Sequence, residues 1–196
     1  LKEKFLDDLR NIMGLFSDAV QGFHFFREHL LTSSMQTIEM LKKSSPEHAN
    51  KEYLDNVTYS YGEEITPVHK VGLVTHHEIT HINTTSYKDL IERNSSGGEN
   101  YFLIGNLTIV MIYHLWENTY RLEFEKQLNK KIEADVFGDL AQIRHMILKN
   151  NGVLNQKAYK KLRLIKWYEP GDRIILDSQK LSEITKWIEA EVKNFR

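Results

Sequence analysis

Phe5, Leu9, Ile12, Phe16, Val20, Phe23 and Phe26 follow one another at steps of three and four residues, with acids and bases between them. That spacing puts one apolar stripe on an α-helix. The stripe continues through Leu30, Leu31, Ile38 and Leu41, so it predicts a helix running to about residue 43. Ser44-Ser45-Pro46-Glu47-His48 ends it, because proline disfavours helix in the residue before it and cannot continue the hydrogen-bond ladder. A helix this long needs a partner along most of its length, either inside its own domain or across a dimer. A mainly α-helical fold follows.

Residues 52–93 change character, being rich in Thr, Val, Ile, Tyr and His with Pro67 in the middle. Such composition favours irregular structure or a short hairpin. Ser95-Ser96-Gly97-Gly98 reads as a turn, after which Leu103, Leu107, Val110, Met111, His114, Leu115 and Leu122 predict a second long helix from Tyr101 to about Lys131. Its apolar first half marks it as the central core helix. A shorter helix over 135–149 follows, then a basic helical run at about 155–167, the turn Pro170-Gly171 and a short strand over Arg173–Leu176. The last helix has Leu181, Ile184, Ile188, Val192 and Phe195 as its stripe and Asp177 or Ser178 as its N-cap.

A chain of 196 residues is ordinarily one domain with a core of its own, so residues 1–196 are read as one domain carrying an insertion at about 52–98. The hydrophobic share of 41% and the charged share of 27% are those of an ordinary soluble protein. No apolar run approaches the roughly eighteen residues of a membrane span. A net charge of -1 argues against coating nucleic acid through bulk charge, though a local basic patch remains open. The absence of cysteine excludes disulfides and cysteine zinc sites, and no signal peptide is evident, so a cytoplasmic setting is expected.

The richest stretch is the helix over 135–149, where Phe137, Leu140, Ile143 (or Arg144) and Ile147 recur at helical spacing and Asn150-Asn151-Gly152 offers a left-handed stop. It places Arg144, His145 and Lys149 on its last turns. The run Arg144-His145-Met146-Ile147-Leu148-Lys149-Asn150-Asn151-Gly152 resembles the motif of the HEPN family of small helical proteins, many of them metal-independent ribonucleases. The family pattern is Arg, a polar residue that is usually Asn, three more residues, then His. Arg144 is kept, His145 stands in the Asn place, and Lys149 stands where the His belongs. Leu115-Trp116-Glu117-Asn118-Thr119-Tyr120-Arg121, Glu169–Leu176 and the closing helix are also similar to one branch of the family, so the resemblance covers about residues 103–195. It implies a HEPN-like helical bundle, a homodimer built around two motif helices, and an RNA-directed protein related to toxin or defence ribonucleases. An antitoxin or further partner is open.

A metal-free ribonuclease needs a group to take the proton of the attacking 2′-hydroxyl and a cation to stabilise the phosphorane. Arg144 has the planar fork that holds a phosphate, and the resemblance gives the catalytic roles to Arg144, His145 and Lys149. A lysine carries its proton at neutral pH and is a poor base, so the motif is degenerate. Residues five apart on a helix lie about 140° apart around its axis, which is why a paired site across a two-fold axis is expected. Asn150, Lys157, Lys160, Lys161 and Arg163, with Tyr159 and Trp167 nearby, could guide a phosphate backbone. Equally, they could be the wet face of a helix. Glu117, Arg121 and Asp139 align with the family as supporting residues, and the plainer reading of all three is an internal ion-pair network.

His77-Glu78-Ile79-Thr80-His81 spells H-E-x-x-H, which on a helix places two histidines on one face to ligate zinc beside a glutamate base. Here the flanks Val71–Thr75 and Ile82–Thr85 favour a strand or loop, and no third ligand stands in a recognisable motif. Neither metal nor cofactor is expected. The readings carried forward are a HEPN-like RNA-directed protein, a zinc hydrolase at His77, Glu78 and His81, and a non-enzymatic helical interaction module.

Overall fold

The structure of the protein, a computed structural model, describes residues 1–56, 58–68 and 76–195. It is mainly α-helical. The chain divides into two compact units, one of Leu1–Phe23 with Ser96–Arg196 and the other of His24–Ser95. The insertion expected at 52–98 falls almost entirely in the second unit, which starts earlier because it also takes the later part of the opening helix.

That helix, α1 (Lys2–Ser44), ends one residue from the predicted stop. In the first unit its stripe buries Phe5, Leu6, Leu9 and Phe16, each at most 2% exposed. They pack in one core with α4 (Glu99–Leu115), α5 (Arg121–Leu128), α6 (Asp135–Lys149) and α8 (Ser178–Asn194). Gly105 lets α4 lie directly on the chain near residue 176, since a Cβ there would stand 2.3 Å from the Leu176 carbonyl oxygen.

Between α4 and α5 the helix continues through one wide π turn, Trp116–Tyr120. The sequence spacing explains it. Ile112, Trp116, Tyr120 and Phe124 are all buried and stand four residues apart. On a regular α-helix each four-residue step overshoots a full turn by about 40°, and three steps would carry Phe124 about 120° away from Ile112. The wide turn absorbs the drift. Phe5 then meets the rings of Trp116, Tyr120 and Phe124 edge-on at 5.8, 5.1 and 6.3 Å, and Tyr120 donates a 2.6 Å hydrogen bond to Asp8. Burial, followed by that carboxylate, pushes the Tyr120 phenol up to about 12.

On α6, Val136, Phe137, Leu140, Ile143 and Met146 are buried. The helix stops as its sequence predicts, with Asn151 and Gly152 both left-handed (φ 51° and 73°). The backbone N–H groups of Asn150 and Gly152 both donate to the Met146 carbonyl, at 2.9 and 3.1 Å. α8 is capped by Asp177, whose carboxylate accepts from the Lys180 backbone at 2.8 Å, and Leu181, Ile184, Ile188 and Val192 are its buried stripe.

Two expectations are corrected. The helix predicted over 155–167 is a single turn, α7 (Gln156–Tyr159), capped by Asn155. Ala158, Leu162 and Ile165 are buried at helical spacing, yet the chain past Tyr159 turns because its backbone donors at 163–165 find a carboxylate elsewhere. The strand predicted over 173–176 is a single antiparallel bridge between Val153 and Arg173, flanked by Leu154 N–H to Asp172 O (2.9 Å) and Ile174 N–H to Gly152 O (2.7 Å).

In the second unit, the rest of α1 is followed by a 3₁₀ turn (Pro46–His48) and α2 (Lys51–Asp55). Strands β1 (Thr58–Val68) and β2 (His76–Ser86) then pair antiparallel from Thr58 opposite Ser86 to Val68 opposite His76, with two irregularities in register. The hairpin was one of the two forms that composition allowed. A further helix, α3 (Tyr87–Arg93), was not foreseen; its N-cap Ser86 accepts from the Asp89 backbone at 3.1 Å. Residues 71–75, expected as strand or loop, lie outside the described residues.

Candidate functional site

Successive residues of an α-helix advance by about 100°. Gly138, Gln142, His145 and Lys149 therefore share one side of α6, within about 60° of one another. His145, Lys149 and Asn150 are exposed. Among the described residues His145 and Lys149 form no ion pair, while Asn150 turns its amide inward to the Val153 carbonyl at 2.5 Å. Asn150 thus closes the turn after α6.

Arg144 lies on a different side. Its guanidinium sits 5.5 Å from the Tyr113 ring centroid, and its half-buried stem lines an apolar groove of about 310 Å³ with Ile12, Val110, Met111 and Leu115. Its Nε is buried without a hydrogen-bond partner. Among the described residues no carboxylate pairs with it. His114, at the rim of the same groove, shares a 2.8 Å hydrogen bond with Asn118. Arg144 and Lys149 therefore do not converge within one chain.

A cleft of about 400 Å³ lies beside the solvent side of α6. Trp116 and Phe137, stacked at 3.8 Å and 4°, lie at its base, and Gly138 opens onto it: no atom lies within 4 Å of where its Cβ would be. The wide turn carries Glu117 to one wall, where it pairs with Arg121 at 2.9 Å, and Arg121 reaches Glu125 at 3.6 Å. The Tyr113 hydroxyl donates to Glu117 at 3.4 Å. Burial first, and that carboxylate second, push the Tyr113 phenol above its ordinary value.

Glu117 and Arg121 form the internal ion-pair network expected of them. Asp139 does something else. It is 1% exposed, and its two oxygens accept from the backbone N–H groups of Arg163, Leu164 and Ile165 at 2.8, 2.7 and 2.7 Å. This is the carboxylate that turns the chain after α7, and it makes Asp139 a positioning residue for the basic segment.

In that segment Lys157, Lys160 and Lys161 are exposed, with no ion pair among the described residues. Arg163 pairs with Asp135 at 2.7 Å, and Lys166 lies 4.8 Å over the Tyr159 ring. Trp167 stacks on Trp187 at 5.5 Å, which makes it a packing residue. Lys161 and Arg163 reach the cleft. Glu133, Gly138 and Gln142 also line it, and sequence reasoning missed all three. A glycine inside the periodic run of α6 was the available signal, since an interior helical glycine normally has a packing or functional reason.

His77, Glu78 and His81 lie on β2, where Glu78 stands opposite Ile65 and His81 opposite Gly62. Extended backbone sets residues four apart roughly 13 Å from each other, whereas the zinc motif needs them one helical turn apart. Among the described residues no group of three or more His, Cys, Asp or Glu side chains could hold a metal ion, and no helix is long and apolar enough to cross a membrane. No protein-family model, no curated protein and no solved structure matches the chain.

Proposed function

We propose that the protein is an RNA-directed, HEPN-like protein in which Arg144 receives phosphate and the proton-transfer position is degenerate. The observation that carries this reading is the state of Arg144: a half-buried guanidinium that touches an aromatic ring and no carboxylate. Such a group keeps its charge and its planar fork for an incoming anion. The helix order α4, α5, α6, α8 and the left-handed stop at Asn151–Gly152 support the resemblance that the sequence carries.

In this reading the phosphate of a strand lies against Arg144, while His145 and Lys149 face solvent together on another side of α6. Because Arg144 and Lys149 diverge by about 140°, one chain cannot present both to a single phosphate. A second α6 from another copy completes the site. Leu103, Leu107 and Met111, 56%, 46% and 45% exposed along one side of α4, give that pairing an apolar contact, and Met111 also lines the Arg144 groove. A lysine at 149 in place of the motif's histidine is a poor proton acceptor by residue type, which makes the protein a better binder than cutter, in keeping with a toxin or defence ribonuclease that has lost its proton acceptor.

The test is cleavage of a labelled mixed-sequence RNA in EDTA by the parent protein, Lys149→His and Arg144→Ala. The expected result is that only Lys149→His cuts, leaving cyclic-phosphate ends, and that Arg144→Ala loses RNA binding. No cutting by Lys149→His, together with unchanged RNA binding by Arg144→Ala, overturns the proposal.

A further inference from the structure

Gly138 is the least explained residue of α6. Glycine inside a helix costs roughly 0.5–1 kcal/mol relative to alanine, and it is usually kept where a side chain would collide with a neighbour, as Gly105 is here. At Gly138 nothing stands within 4 Å of a Cβ. Packing does not require this glycine, and its open side lines the cleft of about 400 Å³.

The walls of that cleft divide into committed and uncommitted charges. Glu117 and Arg121 pair at 2.9 Å and Arg163 pairs with Asp135 at 2.7 Å. Lys161, Glu133 and Gln142 line the cleft, and among the described residues their side chains have no ion pair or hydrogen bond. The rim bearing Lys161 is held by the three backbone bonds to Asp139, and the wall bearing Glu117 by the wide turn. A preformed hollow offering one free ammonium, one free carboxylate and one free amide suits a ligand with an anion at one end and donors at the other. Its volume lies in the range of small-molecule sites.

We infer that this cleft holds one nucleoside monophosphate unit, its phosphate on Lys161 and an amino-bearing base edge on Glu133 and Gln142. A carboxylate only accepts hydrogen bonds. It therefore favours guanine, adenine and cytosine, whose exocyclic amino groups donate, and disfavours uracil, whose single ring N–H is flanked by two carbonyl oxygens. The assignment deepens the RNA-directed reading and rests on it for its biological ligand: Gly138, Gln142, His145 and Lys149 form one line along α6, so a strand following that line delivers one nucleotide to the cleft.

The experiment measures binding of the four nucleoside 5′-monophosphates, each alone, and of a labelled mixed-sequence RNA. The proteins are the parent chain, Gly138→Ala, Gly138→Leu, Lys161→Ala and Glu133→Gln. The guanosine, adenosine and cytidine nucleotides are expected to bind and the uridine nucleotide to bind at least about tenfold more weakly, the worth of one charge-assisted hydrogen bond. Lys161→Ala weakens all of them by about tenfold, Glu133→Gln erases the discrimination against uridine, and Gly138→Leu abolishes binding by filling the cleft. Gly138→Ala, which melts higher than the parent, shows that helix 135–149 tolerates a side chain there. Nucleotide binding without RNA binding upholds the cleft and removes the strand reading. RNA binding that Gly138→Leu leaves unchanged, with no nucleotide bound, overturns the cleft and spares the strand. Binding of neither overturns both.

Discussion

Asp139 and Arg144 stand five residues apart on α6, and their polar atoms are used in opposite ways. Both carboxylate oxygens of Asp139 are engaged by backbone N–H groups at 2.7–2.8 Å. Arg144 has a ring beside it and a buried Nε without a partner. From sequence, Arg144 carries a catalytic role by resemblance and Asp139 a supporting one, most plainly in an internal ion-pair network. The difference teaches that a buried polar group with every bond made is part of the scaffold, whereas one left open at a groove is available for a ligand.

The sharpest way to break the comparison is Asp139→Ala, which strands three backbone donors at once. We expect a loss of about 3–5 kcal/mol, read as a lower urea midpoint at unchanged slope. An unchanged midpoint would mean that the turn at 163–165 holds without its carboxylate. Tyr120→Phe comes next, since it removes a bond of the same saturated kind at a distance from α6; its cost is about 1–2 kcal/mol. The pH dependence has a definite sign. The folded-state phenol lies above its ordinary value of 10.0, at about 12, so its contribution is fully present below pH 10 and is lost as pH rises through about 12. Alkaline unfolding should therefore be shallower in Tyr120→Phe. Part of the slope survives, because burial also raises Tyr113 and Tyr168.

Arg144→Ala is expected to cost only about 1 kcal/mol of stability, the worth of a ring contact, while removing RNA binding. A stability loss as large as that of Asp139→Ala would move Arg144 into the scaffold class and end the comparison. The smallest effects belong to His145→Ala and Lys149→Ala, each within about 0.5 kcal/mol of the parent. A larger shift in thermal midpoint for either would show that the solvent side of α6 is engaged after all.

How much of this was legible depended on whether a signal was local. The stripes of α1, α6 and α8, the Asp177 cap and the Asn151–Gly152 stop all rest on neighbours within one or two turns, and all were readable. The segment after Tyr159 misled because Ala158, Leu162 and Ile165 keep helical spacing, while the decision to turn is made by Asp139, some two dozen residues earlier in the chain. α3 carried a readable start at Ser86, but it followed a β-rich stretch that drew attention to strands. The open state of Arg144 had no sequence signal, since the absence of a partner is a property of the packed molecule.

The wide turn at Trp116–Tyr120 has one further consequence. It behaves as a single extra residue spliced into a long helix, so the numbering of everything after it is out of phase by one with a regular helix that began at Glu99. Deleting exposed Asn118 or Thr119 would leave a smooth, uninterrupted rod, better formed locally than the natural one. In that rod Ile112, Trp116, Tyr120 and Phe124 would follow one another at steps of four, three and four, which a regular helix keeps within about 60° of one another; with the extra residue in place, only the wide turn achieves this. The local irregularity is what keeps the two halves of the rod reading the same core.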